Sequence, residues 1–477
     1  MQNCKTLNQL KQIHAHFLKF YLPQSPASIA PLLSFAVASR NPDFFAYARS
    51  VFRNLRFRST FLYNTMIRGY VQWDSPVPAV LCFKEMLSCK IIVNNYTFTP
   101  LIKACSLVLD DFRGLGFSVH VHVLKLGFCR DRFIASALIE FYSLAREMAN
   151  AGMVFDEIPD RDVVMWTAMV DGYGKVGQVK KARELFEKMP ERNVISWSTM
   201  LAAYLRVSDF KEVLLMYMKM EEVGIRPNEA VLVSAVTACA HLGSLEQGLW
   251  IHSMARHYGY ESNLILATAL VDMYSKCGKM DSALSVFRGI PRKDNGSWNA
   301  ILSGFAMNGD ASKSLQLFDE MVSSGAQPNH TTFVSLLSAC THAKLVDEGL
   351  LLYDKMSSVY GVKPRFEHHA CVVDLLARAG KLEEAEKFID EKMGGIEKGD
   401  PNVWGAFLSA CRVHGNVEAG DRMWRKLCSM RVPDYGTHML SYMMYKEACW
   451  DAEARSVRQS IQDAGLKKEP GCSAIEV

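Results

Sequence analysis

Residues 295–329, NGSWNAILSGFAMNGDASKSLQLFDEMVSSGAQPN, carry the pattern from which the rest of the chain is built. Trp298, Ile301, Leu302 and Phe305 fall three and four apart, which lays one apolar stripe along a helix. Asn308-Gly309 ends that helix, and Asp310 is placed to cap a second one by accepting a backbone N–H. Leu315, Phe318, Met321 and Val322 form the second apolar face. Gly325 supplies a left-handed exit, and Pro328 prevents the helix from resuming. The stretch predicts a helical hairpin of 35 residues. Two helices this short cannot bury their apolar faces alone, so the hairpin must stack on copies of itself.

Copies lie on both sides. Residues 194–228 (VISWSTMLAAYLRVSDFKEVLLMYMKMEEVGIRPN) repeat the aromatic, the break, the second stripe and the closing Pro-Asn, and residues 60–94 repeat them with Tyr63 as the aromatic and Asn94 at the end, without the proline. Trp166, Trp197, Trp298 and Trp404 share that slot. The series opens on a partial repeat at 1–25 and a degenerate one at 26–59. It runs on through 60–94, a long repeat at 95–131, and two repeats of 31 residues at 132–162 and 163–193. After 194–228 come 229–263 (long), 264–294 (short), 295–329, 330–365 (long) and 366–400 (short). No linker or charge block interrupts it, so no domain boundary is expected before about residue 400. Residues 401–468 read as two further hairpins of changed character, and 469–477 as a tail with a turn at Pro470-Gly471. The fold class is all-α, a solenoid of stacked helix-turn-helix repeats.

The net charge of +4 on 477 residues neither argues for nucleic acid nor excludes it. No apolar run reaches a membrane-spanning length, so no membrane partner is expected. Of thirteen cysteines, Cys105, Cys239, Cys340 and Cys411 follow an alanine at one phase of the repeat, as small core residues would. No C-x-x-C occurs, and free thiols in a reducing compartment fit best. The N-terminus is neither an Arg- and Ser-rich presequence nor a secretory signal. KQIHAHFLKF instead parallels SVHVHVLKLG at 118–127, with His14 and His16 in the places of His120 and His122, so the chain is expected to open inside a repeat.

The alternation of repeat lengths, with YNTMIRGY, SWNAILSGF, LVDMYSKCG, LFEKMPERN and SACTHAKLVDEG, resembles the plant pentatricopeptide repeat proteins of the mixed-length (PLS) class. Residues from 401 to the closing KKEPGCSAIEV resemble that class's C-terminal extension (E) region, without a DYW deaminase domain. The resemblance implies a right-handed superhelix that binds single-stranded RNA in mitochondria or chloroplasts. It further implies a site-recognition factor for C-to-U editing, which recruits a deaminase-bearing protein of the family and other editing factors in trans through 401–477.

In that family each repeat reads one base with a polar residue of the first helix and one at the repeat's end. The residue after the aromatic slot is Asn64, Thr167, Ser198 and Asn299, and its equivalents in two short repeats are Ser136 and Thr268. The matching last residues are Asn94, Asn193, Asn228, Asn329, Asp162 and Asp294. Helix capping accounts for the last residues almost as well. It accounts poorly for Asn64 and Asn299, because asparagine is a weak interior helix former. Thr99 with Asp131 resembles a further pair in a long repeat, whereas Val233, Val334, Ala30 and Ala370 cannot read a base edge. By the same resemblance the array runs 5′ to 3′ along RNA. Asn-Asn favours pyrimidine, Ser or Thr with Asn favours adenine, and Ser or Thr with Asp favours guanine. From 60 to 329 this spells pyrimidine, N, G, A, A, N, G, pyrimidine, with the edited cytidine a few nucleotides 3′.

No catalytic residue, metal site or cofactor is expected. A nucleobase deaminase needs H-x-E with a later C-x-x-C, and neither is present. His14/His16, His120/His122 and His368-His369 lack a ligand set. Two other readings remain: organellar RNA stabilisation or splicing, and a protein-binding scaffold like the tetratricopeptide arrays, whose period is constant at about 34 residues.

Overall fold

The computed structural model describes residue 4 and residues 6–20, 26–392, 401–429 and 435–463. These form 27 helices and no strand. The tail at 469–477, and its expected turn, lies outside the described residues.

The hairpin at 295–329 forms as its residues dictate. Its first helix is Asn295–Met307, Asn308 closes it, and Gly309 takes a φ of 80° that a side chain would resist. The Asp310 carboxylate accepts from Lys313 N–H at 2.9 Å and starts the helix Ala311–Ser323. Trp298, Ile301, Leu302 and Phe305 are all buried. On the second helix the buried set is Ala311, Ser314, Leu317, Phe318 and Met321, whereas Leu315 is half-buried and Val322 exposed. The stripe is thus rotated toward Leu317.

First helices stack on first helices. Asn295–Met307 packs against Leu264–Lys276 before it and His330–Ala343 after it, as well as against its own second helix. Val163–Lys175 does the same between Arg132–Leu144 and Val194–Arg206. The chain divides into two compact bodies, Met1–Ser234 and Ala235–Val477, a division that no linker in the sequence announces. Within the second body the helix Pro401–Val413 rests on Phe366–Arg378, with Trp404 buried, so residues 401–463 continue the stack.

Two devices join successive repeats. After the short repeats, Phe155 meets Trp166 edge-on with centroids 4.9 Å apart, Phe186 meets Trp197 at 4.9 Å, and Phe287 meets Trp298 at 4.8 Å. Arg161 and Arg192 lie over the Phe155 and Phe186 rings, and each Nε donates to that phenylalanine's carbonyl at 2.9 Å. One guanidinium therefore caps a helix C-terminus and completes an aromatic cluster. The recurrence of VFDEIPDRDVVMW and LFEKMPERNVISW follows from this clip.

The second device pairs a histidine of a long repeat with a tyrosine of the next helix pair. His14 meets the Tyr47 hydroxyl at 2.8 Å, His120 meets Tyr142 at 2.6 Å, and His252 meets Tyr274 at 2.7 Å. His14 and His120 thus do the same work, as the parallel between their segments predicts. His369 bonds Tyr353 at 2.9 Å, and His368 accepts from Arg365 N–H while reaching His330 O, both at 3.0 Å. These rings hold the stack together.

Cys105, Cys239, Cys340 and Cys411 are free and fully buried. Burial pushes the Cys105 and Cys340 thiols up to about 11 and those of Cys239 and Cys411 up to about 12. A thiol held protonated in the fold ionises first in the unfolded chain. Its contribution is therefore intact below the unfolded value of about 8.5 and is lost as pH rises toward the folded one. Between about pH 9 and about pH 11 the unfolding midpoint is expected to fall more steeply for the natural chain than for a variant with all four cysteines replaced by alanine. Parallel melting curves check this, and equal slopes would remove the thiols as the cause.

Candidate nucleic-acid interface

In two repeats the first-helix position and the last position meet in space. Asn64 is buried in the helix Thr60–Gln72, and its Nδ2 donates to Oδ1 of Asn94 at 2.9 Å across 30 residues. In the second body Asn299 Nδ2 donates to Asn329 Oδ1 at 3.2 Å. A third residue closes each pair: Thr97 Oγ1 donates to Asn64 Oδ1 at 2.8 Å, and Thr332 Oγ1 to Asn299 Oδ1 at 2.7 Å. A buried amide in mid-helix is tolerated because these bonds satisfy it.

The hydroxyl-bearing first positions behave differently. Ser136 donates to Arg132 O at 2.9 Å, Thr167 to Val163 O at 2.6 Å, and Thr268 to Leu264 O at 2.8 Å. The single hydroxyl hydrogen is engaged within the helix, so each oxygen presents only lone pairs outward. Ser198 occupies the same register in Val194–Arg206 and is half-buried.

Five of the six last-position residues also cap the following helix with a side-chain hydrogen bond. Asp162 accepts from Met165 N–H at 3.0 Å, and Asn193 from Ile195 and Ser196 N–H, both at 3.0 Å. Asn228 accepts from Val231 N–H at 3.0 Å, Asp294 from Ser297 N–H at 2.8 Å, and Asn329 from Thr332 N–H at 3.1 Å. Capping and base reading are compatible because the cap engages one oxygen. A backbone N–H can only donate, so the capping atom of asparagine is Oδ1 and Nδ2 turns away. Asparagine therefore offers a donor where aspartate offers its second oxygen, an acceptor.

Asp131 departs from the expected pair. Its Oδ1 caps through Phe133 and Ile134 N–H, and its Oδ2 accepts from Asn95 Nδ2 at 3.0 Å. The partner is Asn95, one helical turn before Thr99, so both oxygens of Asp131 are engaged inside the protein.

A row of exposed apolar side chains escaped the sequence reading. Phe61, Phe133, Val164 and Ile195 in the first body stand three residues before Asn64, Ser136, Thr167 and Ser198, and are 52–78% exposed. Tyr96 precedes Thr99 in the same way, and Ile265 precedes Thr268 in the second body. Residues three apart share a helix face. Each of these therefore forms an apolar ledge beside a polar first-helix side chain. The available signal was an apolar or aromatic residue, two places after the last residue of the preceding repeat, that the buried stripe does not use.

Among the described residues no group of three or more His, Cys, Asp or Glu is placed to hold a metal ion, and no helix is long and apolar enough to cross a membrane.

Stacked hairpins, in two of which a first-helix asparagine bonds the asparagine that precedes the next first helix, define an α-helical repeat protein. The chain belongs to the pentatricopeptide repeat family. The PPR repeat family pattern matches residues 58–106 and 293–342, and the PPR repeat matches 164–194, 195–225, 266–294, 331–359 and 370–393. A pentatricopeptide repeat-containing protein of Arabidopsis thaliana is 45% identical over 100% of this chain and 76% of that protein. A second, named as putative and chloroplastic, is 42% identical over 100% of this chain and 86% of its own length. A third, named mitochondrial, is 39% identical over 90% of this chain and 62% of that protein. Among solved structures, the maize pentatricopeptide repeat protein PPR10 superposes with a TM-score of 0.59 at 17% identity, over 96% of this chain and 73% of that one. That likeness is one of fold.

Proposed function

We propose that the chain is a sequence-specific single-stranded RNA-binding protein of plant organelles that marks a cytidine for C-to-U editing and recruits a deaminase in trans. The observation that carries the RNA reading is the coupling of residues 30 apart, Asn64 to Asn94 beside the exposed Phe61, and Asn299 to Asn329. Apolar and aromatic side chains accept the face of any base, whereas the polar pair discriminates by edge. An outward asparagine Nδ2 suits the acceptor N1 of adenine, and an outward aspartate oxygen suits the N1–H and N2–H₂ of guanine. The capping geometry of Asn193 and Asp162 thus supports adenine and guanine for their repeats.

The editing role rests on the resemblance of 401–477 to the extension region. The chloroplastic and mitochondrial names of two relatives support an organellar location. Family membership sets the constant-period scaffold aside and leaves RNA stabilisation or splicing as the second reading. Since 401–463 continue the stack, deleting them uncovers the apolar face of Phe366–Arg378, and recruitment is better tested in the plant than by truncation.

Two measurements test the proposal. The purified chain is expected to bind an oligoribonucleotide carrying pyrimidine–N–G–A–A–N–G–pyrimidine at least about tenfold tighter than a scrambled one of equal composition, each good base contact contributing about 1–3 kcal/mol. It is expected to form no uridine from target cytidine, with or without added zinc. Equal affinity for both RNAs sinks the base-reading proposal. Transcript sequencing in a loss-of-function line separates editing, seen as one lost C-to-U change, from stabilisation, seen as lost transcript.

A further inference from the structure

We propose that Thr97 and Thr332 are specificity-determining positioning residues, whose hydroxyls lock the amides of Asn64/Asn94 and Asn299/Asn329 so that each pair faces the base as a hydrogen-bond donor. The proposal rests on the reading of these pairs as base readers.

The polarity of the second ring follows from two backbone groups. Thr332 N–H donates to the Asn329 side chain at 3.1 Å, so that atom is Oδ1. Asn299 approaches the same oxygen at 3.2 Å and must present Nδ2 to it. Its Oδ1 is then turned toward Thr332 Oγ1, 2.7 Å away. That hydroxyl accepts from Asn329 N–H at 3.1 Å, which leaves its hydrogen for one acceptor. Asn299 Oδ1 at 2.7 Å is nearer than Asn329 Oδ1 at 3.1 Å. Flipping the Asn299 amide would set oxygen against oxygen and break both bonds beside a fully buried Thr332.

The same ring stands in the other compact body. Asn94 N–H donates to Thr97 Oγ1 at 3.2 Å, Thr97 Oγ1 to Asn64 Oδ1 at 2.8 Å, and Asn64 Nδ2 to Asn94 Oδ1 at 2.9 Å. Thr97 is also fully buried. Elsewhere the lock is missing. Ser196 and Ser297, at the equivalent place, donate to the backbone carbonyls of Asn193 and Asp294 at 2.8 and 2.9 Å. Met165 and Val231 have no hydroxyl at all. The threonine accompanies the two Asn-Asn pairs.

The capping N–H turns the amino group of Asn329 outward, and in each pair the lock engages the oxygen of the first-helix asparagine, leaving that residue only its second amide hydrogen to offer. Among the described residues no protein group accepts from Nδ2 of Asn94 or Asn329. The pairing edge of either pyrimidine carries two acceptors, O2 with N3 in cytosine and O2 with O4 in uracil. That of either purine carries one, N1 in adenine and O6 in guanine. A donor-only reader therefore favours pyrimidine, whereas an amide free to flip offers an acceptor as readily and loses the distinction.

The test uses the full chain and synthetic oligoribonucleotides carrying pyrimidine–N–G–A–A–N–G–pyrimidine, with the last base set in turn to C, U, A and G. Thr332→Val keeps the shape and the capping N–H but removes the hydroxyl. The pyrimidine preference at the last base, at least about fivefold in the natural chain, is expected to fall to about twofold or less, with preference at the first base unchanged. Thr332→Ser is expected to retain it, and Thr97→Val to act on the first base alone, which provides a second route should Thr332→Val fold poorly. A uniform loss of affinity with preference intact would make the threonine a structural cap and overturn the lock. Asn329→Asp is the control. If it changes preference and Thr332→Val does not, only the lock fails. If neither changes it, the base reading fails and the lock with it.

Discussion

Asn193→Asp is expected to move the base facing Thr167 and residue 193 from adenine to guanine without loosening the fold. Both side chains cap a helix about equally well, so the bonds from Ile195 and Ser196 N–H at 3.0 Å survive the exchange. The change falls on the outward atom, where an amide donor becomes a carboxylate acceptor. Against adenine N1 the carboxylate loses its bond and meets a lone pair. Against guanine it gains N–H partners, and a hydrogen bond to a charged group is about twice as strong as a neutral one. A discrimination of about 1–3 kcal/mol in each direction corresponds to reversing a preference of roughly 5- to 150-fold. Gel shifts on RNAs altered at that base alone measure it. If Asn193→Asp weakens binding to all four RNAs equally while the melting temperature holds, residue 193 is a cap and nothing more.

Gly304→Ala is expected to destabilise the second body by about 1–3 kcal/mol through overpacking. An alanine Cβ at 304 would stand 2.2 Å from Ser275 Oγ and 2.7 Å from Ser275 Cβ on the neighbouring first helix. Rotating the serine relieves the first contact but not the second, and Ser275 Oγ is bonded to Val271 O at 2.7 Å in a buried site. Alanine would gain about 1 kcal/mol in helix propensity, which opposes the clash and sets the lower end of the range. The helices must part, and Asn308, whose Nδ2 ties this repeat to Ser275 O at 2.9 Å, parts with them. Adding Ser275→Gly is expected to restore much of the loss. Thermal unfolding of the single and double variants decides it, and a stabilised Gly304→Ala chain would show that the propensity term dominates. The first body repeats the close approach: a Cβ at Gly172 would stand 2.2 Å from Ser143 Oγ.

The hairpins, their caps and their breaks were legible in the sequence because they are set within one turn of helix. Asp310, Gly309 and Gly325 do what their types dictate in any chain. The aromatic slot and the alanine-cysteine phase were legible too, since a stack buries the same face of every repeat. The polar positions could be identified by register, because Asn64 and Asn299 stand out against an apolar stripe.

What met those positions was decided by the tertiary structure. Register alone paired Thr99 with Asp131. The fold sets Asn95, one turn earlier on the same helix, against Asp131, whose other oxygen caps the next helix. The second-helix stripe lies toward Leu317 rather than Val322, since the neighbouring repeat chooses the buried side. The exposed row of Phe61, Phe133, Val164, Ile195 and Ile265 reads in sequence as spare hydrophobicity, and only a first helix packed on both flanks leaves it facing outward. The threonine rings and the Gly304–Ser275 approach join residues 29 to 33 apart. Periodicity carries no information about such contacts, because it records which face is apolar and not how closely two faces come together.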